Sequence, residues 1–187
     1  MRFNPGTLPI VILAGVALSL ALLIYIPQSN VASLNGQVSV NSGPARLKIP
    51  KINVDSAVEY VGVAKGGAMD TPKKPEDVAW YQPGVRPGEN GSAVIDGHSG
   101  WKDGRAVAFD NLYKLHTGDN IYVEDGTGTT TSFVVHEIRS YDPKADDREV
   151  FFSADGKSHL NLITCEGVWD AASKSYSKRL VVFADKE

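Results

Sequence analysis

Residues 160–184, LNLITCEGVWDAASKSYSKRLVVFA, contain two apolar segments that are separated by a polar loop. The segments 160–164 and 180–184 are rich in β-branched residues, and each predicts a short strand. If the two strands pair antiparallel through the loop, the end of the first faces the start of the second. Cys165, which ends the first strand, and Arg179, which precedes the second, would then be neighbours.

Similar segments recur upstream, and turn sequences such as Asn90-Gly91 and Asp125-Gly126 separate most of them. This spacing predicts a mainly β domain, a closed barrel or a sandwich, because either arrangement limits exposed strand edges. Helices should be few and short, and we expect them at 75–80 and 106–115. The other predicted strands are 46–52, 57–63, 93–96, 120–124 and 130–141.

The beginning of the chain has a different composition. Residues 8–26, LPIVILAGVALSLALLIYI, form an uncharged apolar run close to the ~20 residues that a helix needs to cross a bilayer. Arg2 precedes the run and the next basic residue is Arg46, which predicts a cytoplasmic N-terminus and an extracellular remainder. The expected order is a cytoplasmic tail at 1–7, a single-pass signal anchor in the cell membrane at 8–26, a flexible linker at 27–45 and one folded domain at 46–187. A cleavable signal peptide, processed near Val31-Ala32-Ser33, is the alternative.

Composition excludes several classes of function. The net charge of −3 and the scattered basic residues disfavour nucleic-acid binding. Cys165 is the single cysteine, so an intramolecular disulfide cannot form. The histidines lack the His-x-x-x-His spacing that places two ligands on one helical face, and we expect neither a histidine-based metal site nor a cofactor.

Three residues have the chemistry of a nucleophilic site. Cys165 lies where a strand runs into a loop, although most free cysteines are small buried hydrophobes. His98 follows Gly97 at the end of an apolar strand and could act as a general acid and base, or could simply cap the strand. Arg179 is a solvated charge if it stands alone, but beside a thiol its guanidinium could stabilise an oxyanion.

Together these segments resemble the sortase family. LITC at 162–165, with Arg179 opening a terminal LVVFA strand, is similar to the signature end of that family, except that Asn161 stands where its motif usually has threonine. AWYQPGVRPGENGSAVIDGHS at 79–99 resembles the family's histidine region, particularly that of the small actinobacterial-type sortases of class E, F or D. The resemblance implies a closed eight-stranded β-barrel with a few short helices, and assigns 46–187 as the catalytic domain.

The resemblance also implies a cysteine transpeptidase. Cys165 would attack the threonine carbonyl of a Leu-Pro-x-Thr-Gly-like sorting signal, His98 would exchange protons, and Arg179 would stabilise the oxyanion. Thr164 and Tyr176 would contact the substrate. The implied partners are surface proteins that carry the sorting signal and an amine acceptor of the cell wall or of a pilin. A calcium site known in part of the family is not expected, because the acidic residues at 142–149 match no motif.

Two other functions remain open at this stage. An exported cysteine peptidase or hydrolase would use the same residues, with water in place of the amine. A membrane-tethered β domain that only binds a partner would have Cys165 buried as packing.

Overall fold

The computed structural model describes residues 42–101 and 103–187, which form a closed eight-stranded β-barrel. In chain order the strands are β1 (Pro44–Ile49), β2 (Val54–Val61), β3 (Val78–Tyr81), β4 (Gly91–Gly97), β5 (Asn120–Asp125), β6 (Thr130–Tyr141), β7 (Ser158–Asp170) and β8 (Ser175–Lys186). Around the barrel the order is β1, β2, β3, β4, β7, β8, β6 and β5, and β5 pairs back to β1. The β2–β3 and β4–β7 pairs are parallel, whereas the other neighbours are antiparallel. The prediction of a closed, mainly β barrel is confirmed.

Helices within the described residues are short. The helix α1 (Arg148–Phe151) is a single turn, and Pro50–Ile52 and Leu112–Lys114 form 3-10 turns. None of the described helices has the length and apolar character that a membrane span requires. The predicted cytoplasmic tail at 1–7, the signal anchor at 8–26 and most of the linker at 27–45 lie outside the described residues.

The barrel interior is filled by alternate side chains of the strands, because successive residues of a strand point to opposite faces. On β7 and β8, Leu160, Leu162, Val182 and Ala184 are buried in this way. Fully burying one such leucine contributes roughly 2 kcal/mol to the free energy of unfolding. Phe109, Phe133, Leu47, Ile49 and Ile121 complete much of the core from the other elements.

Part of the outer face of β7 and β8 is also apolar, and α1 packs over that part. Val150 of α1 is buried against Val181 and Phe183. Asn161, on the same outer face of β7, donates a hydrogen bond from Nδ2 to the Val150 carbonyl at 2.6 Å. The asparagine that departs from the family motif therefore ties α1 to the barrel wall.

Both predicted helices are wrong. The segment predicted as a helix at 75–80 instead contains β3, which pairs parallel with β2 and antiparallel with β4. Residues 78–80 are all buried, so the alternation of polar and apolar residues that marks a half-exposed strand is missing. The segment at 106–115 has only one 3-10 turn, since the Phe109 amide donates to the His98 carbonyl at 2.9 Å instead of to a helical partner.

Candidate active site

The β7–β8 pairing brings Cys165 and Arg179 together. The two residues are direct cross-strand partners in the antiparallel register, as the sequence pattern predicted. Both therefore project from the same face of the sheet, at the end of the barrel where the β7–β8 hairpin begins. This register positions a permanent positive charge beside the thiol.

The parallel β4–β7 pairing brings in His98, which directly follows β4. Asp96 pairs with Ile163, so the end of β4 lies beside the strand segment that leads to Cys165. Two hydrogen bonds fix this junction on either side of His98. The Thr164 hydroxyl donates to the Gly97 carbonyl at 2.6 Å, and the Ser99 hydroxyl donates to the Cys165 carbonyl at 2.5 Å.

Cys165, His98, Arg179 and Asp96 line one open cavity of about 410 Å³. One wall comes from the β2–β3 connection and the opposite wall from the β6–β7 connection, which includes α1. The residues that form these walls include Ala68, Met69, Thr71, Tyr141, Pro143 and Phe151. An open cavity that combines apolar and titratable lining residues suits a peptide substrate.

The orientation of His98 is set by two neighbours. Its Nε2 atom lies 2.9 Å from the Pro72 carbonyl oxygen, and its ring packs edge-on against Trp101 with 4.9 Å between ring centroids. Because a carbonyl oxygen only accepts hydrogen bonds, Nε2 carries a proton in this arrangement. Nδ1 is then the ring nitrogen that can take up or release a proton.

Arg179 is anchored on the β7–β8 hairpin. One terminal nitrogen donates to the carbonyls of Tyr176 and Lys178 at 3.3 and 2.9 Å, and the other donates to the Ser175 hydroxyl at 3.3 Å. These contacts fix the guanidinium on the hairpin, where its charge opposes the effect of burial, which raises the pKa of the Cys165 thiol. Such fixed donors cost little reorganisation when an oxyanion develops.

Asp96 is a cavity residue that the sequence analysis missed. Burial raises the pKa of its carboxyl group to about 7, and the nearby Arg179 partly opposes that effect. Burial likewise raises the pKa of the Cys165 thiol above its ordinary value, while Arg179 lowers it and Asp96 raises it. The available signal was an acidic residue at the end of an otherwise apolar strand, immediately before Gly97-His98.

The two predicted substrate contacts lie elsewhere. Thr164 is 2% exposed and faces the barrel interior, where its hydroxyl bonds the Gly97 carbonyl. Tyr176 packs edge-on against Trp169, and its hydroxyl lies 3.5 Å from the Gly100 carbonyl oxygen. Neither residue is among the described residues that line the cavity. Thr164 positions the His98 segment, and Tyr176 connects the β7–β8 hairpin to the loop after His98.

Comparisons with known proteins agree with this architecture. Residues 47–187 match the sortase domain family. Sortase C-1 from Actinomyces oris is 26% identical, with a TM-score of 0.61 over 76% of this chain and 72% of that chain. Sortase C1 from Streptococcus agalactiae, in complex with MTSET, is 26% identical, with a TM-score of 0.60 over 76% of this chain and 66% of that one. Sortase A from Corynebacterium diphtheriae is 26% identical, with a TM-score of 0.61 over 79% and 61% of the two chains.

No curated protein matches the sequence. The fold is a closed β-barrel whose candidate site contains a cysteine thiol, with an arginine opposite it on the neighbouring strand. Because the family match covers most of its length, the chain belongs to the sortase family. It is accordingly an enzyme, a cysteine transpeptidase. The closer resemblance to class E, F or D stays a prediction.

Two substitutions in the cavity are expected to change thiol reactivity in opposite directions. Asp96→Asn removes a negative charge that raises the pKa of the Cys165 thiol, so iodoacetamide should label the variant faster at about pH 8. Arg179→Gln removes the positive charge that lowers the same pKa, so labelling should slow. One pKa unit alters the thiolate fraction about tenfold, and the lower nucleophilicity of a more acidic thiol offsets part of that change.

Label uptake followed by mass reports Cys165 directly, since it is the single cysteine. The pH dependence provides an internal control. Asp96 has a pKa of about 7, so its charge is lost as the pH falls through that value. The effect of Asp96→Asn should therefore fade at about pH 6. Equal labelling rates for all three proteins at about pH 8 would show that these charges do not act on the thiol.

Proposed function

We propose that this enzyme cleaves a Leu-Pro-x-Thr-Gly-like sorting signal between threonine and glycine and transfers the acyl group to an amine. The observation that carries the proposal is the convergence of Cys165, His98 and Arg179 on one open cavity. Sulfur, imidazole and guanidinium are the groups that acyl transfer needs as nucleophile, proton carrier and oxyanion partner.

In the first half-reaction the Cys165 thiol gives its proton to His98, and the resulting thiolate attacks the threonine carbonyl carbon. As the tetrahedral intermediate collapses, the C–N bond to glycine breaks and the leaving amine takes a proton from His98. The acyl group is then held as a thioester on Cys165. Arg179 stabilises the negative charge on the carbonyl oxygen in the tetrahedral intermediate.

In the second half-reaction an amine attacks the thioester carbonyl carbon. The amine nitrogen gives up a proton to His98, the C–S bond breaks, and a new amide is released. The amine belongs to the cell wall or to a pilin, and the acyl donor is a sorting-signal-bearing surface protein. The reaction would serve either to anchor proteins at the cell surface or to assemble a pilus.

The location proposed for this reaction is the outer surface of the cell membrane. The apolar run at 8–26 would anchor the chain in a single pass, with Arg2 on the cytoplasmic side and the catalytic domain outside. Such an anchor would keep the enzyme near substrates and acceptors that emerge at the same surface.

The hydrolase alternative differs only in the nucleophile that resolves the thioester. The non-catalytic alternative is disfavoured, because Cys165 is partly exposed on the cavity wall and is not packed inside the barrel. Product identity therefore separates the remaining two functions.

The deciding experiment incubates the full chain, in detergent, with Leu-Pro-x-Thr-Gly and Leu-Ala-x-Thr-Gly peptides and a panel of amines. Mass spectrometry should detect a peptide truncated after threonine and joined to the amine, and an acyl adduct on Cys165. Free acid as the sole product at saturating concentrations of every amine would favour the hydrolase. Absence of both cleavage and a Cys165 adduct would contradict the proposed function.

A further inference from the structure

A second cluster of titratable side chains lies at the beginning of β7, away from Cys165. His159 of β7 and Asp185 of β8 are direct cross-strand partners, and His136 of β6 reaches the same point. His159 and Cys165 are six positions apart, so the cluster lies about 20 Å from the thiol along the strand. The cluster is thus separate from the site described above.

The ligand atoms of the three residues are close together. The His159 Nδ1 and Asp185 Oδ1 atoms are 2.6 Å apart, and His136 Nε2 is 3.5 Å from the same oxygen. All three ligand atoms lie within 4.8 Å of one another. Around a tetrahedral Zn²⁺ with bonds of about 2.0–2.2 Å, ligand atoms are separated by roughly 3.3 Å. Side-chain shifts of about an ångström would therefore complete the coordination.

A β-bulge explains how His136 reaches the cluster. On β6, Val135 pairs with Ala184 and Glu137 pairs with Phe183, so His136 is an extra residue without a partner on β8. A bulge of this kind re-aims a side chain. The sequence predicted no histidine-based metal site because no two histidines have the spacing of ligands on one helix. The residues of this cluster instead come from three neighbouring strands.

A fourth residue fixes the tautomer of His159. The Asp155 carboxylate lies 3.0 Å from His159 Nε2, on the opposite side of the ring from Asp185. With Nε2–H donating to Asp155, Nδ1 can coordinate a metal once the proton that it shares with Asp185 is lost. A carboxylate on the far nitrogen is the usual arrangement for a metal-bound histidine.

A protonated His159 bridging two carboxylates would explain part of this geometry. It would account for the contacts of His159 with Asp155 and Asp185. The 3.5 Å distance from His136 Nε2 to the same Asp185 oxygen is longer than a normal hydrogen bond, but it is close to the separation of two ligand atoms around a tetrahedral ion. Two imidazole nitrogens and one carboxylate converging on one point are accounted for by a cation among them.

We propose that His136 Nε2, His159 Nδ1 and the Asp185 carboxylate bind a divalent transition-metal ion of the Zn²⁺ type. The ion displaces the proton between His159 and Asp185 to solvent, and water occupies the fourth position on the exposed side. The two nitrogen ligands favour Zn²⁺ over Ca²⁺ or Mg²⁺, which prefer oxygen ligands. The ion links β6, β7 and β8, so it stabilises the fold and takes no part in acyl transfer.

The test uses the full chain with the Cys165→Ala substitution, because the thiol would otherwise compete for zinc. Any histidine tag is removed. Calorimetry with ZnCl₂ should give one saturable site, Co²⁺ should give the visible absorption of tetrahedral coordination, and Zn²⁺ should raise the melting temperature. An excess of Ca²⁺ or Mg²⁺ should not displace Zn²⁺.

Variants of the cluster locate the site. His136→Ala changes a half-exposed side chain and should abolish saturable binding while the circular dichroism spectrum is unchanged. Asp155→Asn should weaken Zn²⁺ binding about 10- to 100-fold. His116→Ala, which alters an exposed histidine outside the cluster, is the matched control and should bind like the parent. Absence of saturable binding in the parent, or equal binding by His136→Ala, would overturn the proposal. None of these measurements depends on peptide cleavage.

Discussion

The Cys165→Ala variant should show no peptide cleavage and no amine transfer, with the barrel intact. The sulfur is the atom that would carry the acyl group, and Cys165 is the single cysteine, so no second thiol can substitute. Loss of the nucleophile in enzymes with covalent intermediates costs about 10⁴-fold or more in rate. The measurement is product formation by mass, together with a melting curve that shows retained stability.

His98→Gln provides the companion variant. Glutamine can still donate a hydrogen bond to the Pro72 carbonyl, but it cannot exchange protons at neutral pH. The rate of transfer should fall about 10²- to 10⁴-fold. We expect a bell-shaped pH profile for wild type, because His98 acts first as an acid and then as a base, and the variant should lose this profile. His116→Gln is the matched control and should retain both rate and profile. Substantial activity in Cys165→Ala, or an unchanged pH profile in His98→Gln, would contradict the assigned roles.

Gly97→Ala should both destabilise the barrel and reduce activity. A Cβ atom at this position would lie 2.5 Å from the Cδ2 atom of Phe109, whose side chain is 1% exposed. Overpacking of a buried site costs about 1–3 kcal/mol in the free energy of unfolding. The clash also moves the adjacent His98, and a misplacement of about 1 Å can reduce the rate about 100-fold. Denaturant unfolding and product formation measure the two effects.

Two further variants test the proposed cause. Gly62→Ala places its Cβ in open space and should be close to neutral. Gly97→Ala combined with Phe109→Leu should be less destabilised than the sum of the two single variants, because the leucine makes room for the added methyl group. A fully additive double variant would exclude a clash with Phe109 as the cause.

Strands with a clear composition could be predicted from the sequence. Residues 130–141 match the observed β6, and the prediction at 120–124 differs from β5 by one residue. Where two faces are buried, as at Val78–Tyr81, the alternating pattern disappears and a helix was predicted in error. The strands at 160–164 and 180–184 were predicted too short, because Glu166 and Gly167 interrupt the apolar run of β7 and the first residues of β8 are mostly polar.

The candidate site could also be predicted only in part. The pairing of Cys165 with Arg179 could be inferred because a short loop connects their strands. The position of Asp96 could not, since it depends on the parallel pairing of β4 with β7, strands that are far apart in the chain. Thr164 faces inward because it lies on the same face of β7 as the buried leucines of that strand, but the bond of its hydroxyl to the Gly97 carbonyl depends on that pairing.

The place of β8 in the barrel has a consequence for biosynthesis. This strand is the last of the eight to be synthesised, yet it lies between β7 and β6, so a nascent chain that lacks it leaves a gap in the wall. Arg179 also reaches Cys165 only when β8 docks. Ribosome-bound intermediates would thus carry the thiol without its cationic neighbour, which delays competence for acyl transfer until synthesis of the barrel is complete.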